Sequence, residues 1–155
     1  MIDNIISQIA ALEEKIFSDG WGFDSIKHTL ECDYNSIYVI WKDEDSLYIE
    51  DVRFASDFSC KDIGGYLISS HIADETELLR VAVGEEYRGC GYGKKLVLDY
   101  LSRMGTSCES GFLEVRDSNQ VARRLYESCG YKKIAIRKNY YKAPNEDGVV
   151  YQITF

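Results

Sequence analysis

Val81-Ala82-Val83-Gly84-Glu85-Glu86-Tyr87-Arg88-Gly89-Cys90-Gly91-Tyr92-Gly93-Lys94 is the stretch on which the fold turns. An apolar strand runs into a glycine-rich turn, and a helix starts at once. Glycines at alternate positions 89, 91 and 93 let the main chain take unusual φ values and remove Cβ atoms that would block a ligand. The N–H groups at the helix start then point outward together, where a helix end carrying roughly +0.5 charge favours an anion. The local reading is a phosphate cradle, and the plainer alternative is a glycine-rich turn between strand and helix. A dinucleotide loop requires G-x-G-x-x-G after a βαβ pattern, and here the third glycine comes one residue early. A Walker loop is excluded by the position of Lys94. What remains is R-x-x-G-x-G opening a helix.

The apolar spacing on either side predicts one mixed domain over residues 1–155. Downstream, Tyr92 to Met104 is a helix with Leu96, Val97, Tyr100, Leu101 and Met104 on one side. Gly111 to Arg116 is a strand. Asn119 to Cys129 is a helix, with Asp117 and Ser118 as candidate N-caps and Gly130 as its C′ residue. Tyr131 to Arg137 and Val149 to Phe155 are strands. Upstream, Gly64 to Ile72 and Glu77 to Val83 are strands joined around Asp74-Glu75, and Ser36 to Trp41 is another. A first helix from Asn4 to Phe17 ends near Gly20, and a second covers Phe23 to Glu31. Residues 43–61 are acidic and hold one short candidate strand, Leu47-Tyr48-Ile49. The order predicts an α/β (α+β) fold rather than a regularly alternating doubly wound one.

A chain of 155 residues, 45% hydrophobic and 28% charged, supports a core and excludes disorder. Its net charge of −8 speaks against nucleic acid, which requires a basic face. No apolar run reaches the ~18 residues of a membrane span. The opening MIDNIISQIA carries an acid where a secretory leader has a basic region, so none is expected. The five Cys are scattered, odd in number and without CxxC spacing. Neither His28 nor His71 sits near a second likely metal ligand in motif spacing. Reduced thiols, a cytoplasmic location, no metal and no membrane partner are expected. A monomer or weak dimer is also expected.

A second constellation lies downstream: Phe112-Leu113-Glu114-Val115-Arg116-Asp117-Ser118-Asn119, then Arg124-Leu125-Tyr126-Glu127, then Gly130-Tyr131. Strand alternation puts Phe112, Glu114 and Arg116 on one face, opposite Leu113 and Val115. An acid there is costly without a partner or a task, so Glu114 is either half of a cross-strand salt bridge or a proton acceptor. Tyr126 is either a core-facing tyrosine beside Ala122 and Leu125 or a working phenol. Asn119 is either a helix cap or a ligand contact. With the glycine loop and Arg137-Lys138-Asn139-Tyr140-Tyr141, these segments resemble the GCN5-related N-acetyltransferases. Within that family they resemble the bacterial ribosomal-protein alanine N-acetyltransferases. The resemblance is specific from Leu79 to Tyr141.

The resemblance implies a twisted, mostly antiparallel sheet flanked by helices. Its strands before the glycine loop and after the following helix would splay apart to admit the pantetheine arm of acetyl-CoA. It implies that Arg88, Gly89, Cys90, Gly91, Tyr92, Gly93 and Lys94 surround the pyrophosphate. The main chain of Val81, Ala82 and Val83 would pair with the pantetheine amides, and Asn119 would contact the arm. Glu114 is then the proton acceptor, and Tyr126 the donor to the leaving thiolate. Trp21, Tyr140 and Tyr141 become aromatic loop residues walling a peptide groove; Trp21 could equally anchor the two first helices. Cys90 has no His placed to activate it, so direct transfer is expected rather than a covalent acetyl-enzyme. The implied acceptor is a protein N-terminal α-amine, as of a ribosomal protein. A small amine such as a polyamine or aminoglycoside, or a non-catalytic CoA-binding role, is the alternative. Family members usually open with a strand, whereas this helical pattern begins almost at Met1. The acidic stretch 43–61 is expected to supply a substitute strand or to alter substrate access. The Trp21 region also lacks the proline common in the subgroup.

Overall fold

The computed structural model describes residues 2–43, 46–55 and 62–155. The elements are α1 (Ile2–Ile16), α2 (Phe23–Glu31), β1 (Asn35–Asp43), β2 (Ser46–Asp51), β3 (Ile63–Ile72) and β4 (Glu75–Val83). They continue with α3 (Tyr92–Met104), β5 (Ser110–Arg116), α4 (Gln120–Ser128), β6 (Lys132–Tyr141) and β7 (Glu146–Thr154). The strands form one sheet in the order β2-β1-β3-β4-β5-β7-β6. Neighbours are antiparallel except β4 and β5. The mixed α/β class and the mostly antiparallel sheet are as the sequence implies.

Alternation along the strands sorts apolar side chains onto two faces. On one, Ile40, Leu67, Leu113 and Tyr151 meet Leu96, Val97 and Tyr100 of α3 and Tyr126 of α4. On the other, Ile37, Val39, Tyr66 and Ile68 meet Ile5, Ile6 and Ile9 of α1 and Ile26 of α2. Each helix thus buries one stripe against its own side of the sheet.

The outer edge next to β1 belongs to β2, paired from Asp43↔Ser46 to Tyr38↔Asp51. Leu47 and Ile49 turn toward the α3 side, while Tyr48 stacks on Trp41 with ring centroids 4.2 Å apart. This is the substitute strand that the acidic stretch is expected to supply. Residues 44–45 and 56–61 of that stretch lie outside the described residues.

A second difference concerns β6, which continues through Tyr141, with β7 already starting at Glu146. Tyr140 and Tyr141 are therefore strand residues of a hairpin, not loop residues. The cause is Arg116, which donates to the carbonyls of Lys142 and Pro144 and pairs with Glu146, drawing the strand ends together.

β4 and β5 pair only at Glu75↔Ser110, Thr76↔Gly111 and Glu77↔Phe112. Beyond that rung they diverge. Ile68 faces Arg80 and Ser69 faces Leu78, so Leu79 is an extra residue in β4. Such a bulge bends and twists its strand. From Leu78 to Val83 the edge of β4 nearest β5 has no strand partner, and its backbone groups face a gap.

Candidate active site

That gap opens into a cavity of about 930 Å³. Its lining includes Val81, Ala82 and Val83, the first turn of α3, Glu114, Asn119, Tyr126, Tyr140, Tyr141 and Trp21. Arg88, Gly89, Gly91, Tyr92, Gly93 and Lys94 also line it. Cys90 alone among the sequence-predicted site residues does not; its thiol is exposed and free.

The loop is built on two left-handed residues, Gly89 at φ +76° and Gly91 at φ +80°. A Cβ at either would meet nothing within 4 Å, so backbone conformation alone makes them glycine. Gly93 is different. It is helical, and a Cβ there would touch Leu125 at 3.4 Å and Val83 at 3.7 Å. Unusual φ values thus apply to two of the three glycines; the third keeps the cavity wall low. No side chain caps α3, and Lys95 N–H is the first engaged, onto the Gly91 carbonyl at 3.0 Å. The N–H groups of Tyr92, Gly93 and Lys94 are left for a ligand, as at any open helix start. Nearby, Arg88 closes the turn by donating from Nε to the Val83 carbonyl at 3.3 Å. Open space over left-handed glycines, unpaired N–H groups and a positive helix end fit a diphosphate.

Glu114 makes the salt bridge of its first reading and keeps one oxygen unused. Its Oε1 accepts from Arg137 Nη1 at 2.5 Å, a cross-strand ion pair. Its Oε2 is buried and has no hydrogen-bond partner among the described residues. The guanidinium of Arg137 lies over the Tyr140 ring, 4.0 Å from its centroid. Beside it stands a carboxylate the sequence reading missed, Glu77. It occupies the last paired rung, opposite Phe112, and lines the same cavity. It makes no ion pair or hydrogen bond with a described residue. Burial, and then the charge of Glu114, push its carboxyl above the usual range. The alternation of buried Thr76 and Leu78 around it was readable, but its nearness to Glu114 depends on the parallel pairing of distant strands.

Tyr126 comes from the opposite side. Thr76 and Leu78, and likewise Leu113 and Val115, face α3 and α4, so Glu77 and Glu114 face the α1 side. Tyr126 belongs to the α3 and α4 core and is only 6% exposed, yet it lines the cavity. Burial pushes its phenol well above the ordinary value, with Tyr141 and Cys129 adding to the effect. Tyr141 is pushed up to about 12 by burial first and by Glu114 second. The gap thus has carboxylates on one side and a protonated phenol on the other.

Asn119, not Asp117 or Ser118, caps α4. Its Oδ1 accepts from Ala122 N–H at 3.1 Å. Asp117 is taken instead by Arg123 at 2.7 Å, and the Ser118 amide by Glu146 at 2.5 Å. Capping uses only the carbonyl side of the Asn119 amide, and the residue also lines the cavity. Trp21, on the α1–α2 connection, also lines the cavity, and the Arg80 guanidinium lies 5.1 Å from its ring centroid.

Residues 20–131, more than half of the chain, match the family described as Acetyltransferase (GNAT) family, and the chain belongs to it. It is an N-acetyltransferase by that membership and by its relatives. Over 151 residues it is 30% identical to the [ribosomal protein bS18]-alanine N-acetyltransferase of Haemophilus influenzae, covering 92% of this chain and 90% of that protein. The ribosomal-protein-S18-alanine N-acetyltransferase of Escherichia coli superposes with a TM-score of 0.75 at 21% identity, over 97% of this chain and 88% of that one. The spermidine N-acetyltransferase of Vibrio cholerae superposes with a TM-score of 0.72 at 16% identity, over 98% and 89%. The two structural likenesses speak for the fold, which serves acceptors as different as those two.

Proposed function

We propose that the chain transfers acetyl from acetyl-CoA to the N-terminal α-amine of a protein, a ribosomal protein first among candidates. One observation supports this reading above the rest: carboxylates and a buried phenol face one gap from opposite sides of the sheet. Acetyl-CoA, when bound, supplies a thioester that an amine can attack. The main-chain N–H groups of Tyr92, Gly93 and Lys94 hold its diphosphate. The open edge of β4 at Val81 to Val83 aligns its arm and offers N–H donors to the carbonyl. Glu114, directly or through water, takes the proton of the incoming amine. Tyr126 donates to the departing sulfur, whose basicity resembles that of a thiol at about 8.5.

The demand on the base is small for this acceptor. An α-amine near pKa 7.7–8.0 loses its proton at pH 7 for about 1 kcal/mol, whereas a lysine at about 10.4 requires about 4.6 kcal/mol. A carboxylate already shared with Arg137 suits the easier task. Action on ribosomal proteins would place the enzyme in the cytoplasm. The acidic acceptor side, with Asp19, Glu77 and Glu114 on one cavity, favours a small cationic amine as the second reading.

Mass spectrometry of ribosomal proteins from cells with and without the gene tests the proposal. A ribosomal N-terminus that loses its acetyl group supports it. Unchanged N-termini, with spermidine turned over faster than any N-terminal peptide by purified enzyme, would replace it with the second reading.

A further inference from the structure

The connection between α1 and α2 forms the acceptor-side wall, and it has space on both sides. Phe17 and Trp21 line the large cavity and also a second one of about 640 Å³ behind them. Packing on the α1–α2 core supports these rings only in part. What else holds them is polar. Glu13, on α1, is fully buried. It accepts the Tyr66 hydroxyl on one oxygen and the Trp21 N–H at 2.9 Å on the other. The same oxygen lies 3.6 Å from Arg80, whose side chain is 12% exposed. Arg80 then donates to the Asp19 carbonyl at 3.1 Å and lies 3.6 Å from the Asp19 carboxylate. Its guanidinium sits 4.6 Å from the Phe17 ring centroid and 5.1 Å from that of Trp21. Gly20 completes the fit, because a Cβ there would lie 2.7 Å from the Glu13 carbonyl oxygen.

We propose that Arg80 is a positioning residue for the acceptor, anchored by Glu13 and setting the wall formed by Phe17, Asp19 and Trp21. Arg80 follows the bulge at Leu79 and precedes the edge assigned to the cofactor arm. One planar, charged group therefore ties the acceptor wall to the strand that carries the thioester. A guanidinium can stack on two rings and donate in a fork at once, which an ammonium cannot. This inference rests on the acceptor-side reading given above.

The test is initial-rate kinetics on wild type and Arg80→Met, with an alanine-initiated peptide and with spermidine as acceptors. Acceptor KM rises about tenfold or more in the variant, while kcat stays within about twofold, the signature of lost binding that is equal in ground and transition states. The acetyl-CoA dissociation constant, read by calorimetry, stays unchanged. Arg80→Lys, which keeps the charge beside Glu13, falls between the two. Arg80→Met leaves Glu13 buried and uncompensated, so Glu13→Gln/Arg80→Met is run alongside; removing both charges of a buried pair is commonly tolerated. The double variant shows the same rise in KM. Unchanged KM in both Met variants overturns the proposal, as does a parallel loss of kcat and acetyl-CoA affinity in the folded double variant. Wild type that turns over spermidine but no peptide defeats the N-terminal reading alone, and Arg80 is then judged on the spermidine KM.

Discussion

Two carboxylates and a phenol on one cavity differ in their surroundings, and the proposed mechanism uses that difference. Tyr126 is buried enough to stay protonated, and its hydroxyl is not committed to a described partner. Removing that hydroxyl removes the proposed donor. Tyr126→Phe therefore lowers kcat about 10²-fold, in the range of general-acid contributions, with acetyl-CoA affinity unchanged by calorimetry. Glu77 makes a different prediction. Its carboxyl is raised in the fold, so above the ordinary carboxylate pKa of about 4.3 the folded chain holds protons that the unfolded chain has released. Stability must fall as pH rises through the window between the ordinary and the raised value. Glu77→Gln removes that penalty. Its melting temperature exceeds wild type at pH 7, and the two curves converge near pH ~4, below the ordinary value.

Among the elements, the turn from β4 into α3 was the most legible. Its glycines and the helix that follows are contiguous, so local backbone chemistry alone specified the open helix start. The same holds for Gly130, left-handed at φ +100° after α4. Alternation along one strand and the face of one helix left Glu114 and Tyr126 each with a plain structural alternative, and only the family resemblance singled them out. What escaped the sequence depends on partners far along the chain. Glu13 reaches Tyr66 and Arg80, Glu77 meets Glu114 only through strand pairing, and the Tyr140 and Tyr141 strand end is set by Arg116. The cap of α4 stayed open in the sequence because Asp117, Ser118 and Asn119 are all competent caps. Only the competing bonds of Arg123 and Glu146 decide among them. At this scale Gly91→Ala is informative. The left-handed φ costs about 1–2 kcal/mol for a residue with a Cβ, read by urea unfolding. The methyl would also project into the open space over the loop, so acetyl-CoA affinity falls by a larger factor than stability does.

For the whole molecule, the gap between β4 and β5 is an interior surface left without protein to cover it. A ligand that fills it binds only the folded chain. Acetyl-CoA at 100 times its dissociation constant should therefore raise unfolding free energy by about 2.7 kcal/mol, measured by thermal shift against an equal concentration of adenosine. The two walls of that gap also have different histories in the chain. β1, β2, β3 and β4 pair among themselves, as do β5, β6 and β7, the last two as a hairpin, whereas α3 separates β4 from β5 along the chain. Close-in-sequence pairings carry a small closure entropy and form early. On the ribosome, the β2-β1-β3-β4 half can zip up while the later strands are still being synthesised. The cleft is then the seam where an earlier-made half meets a later-made one, joined by three residue pairs.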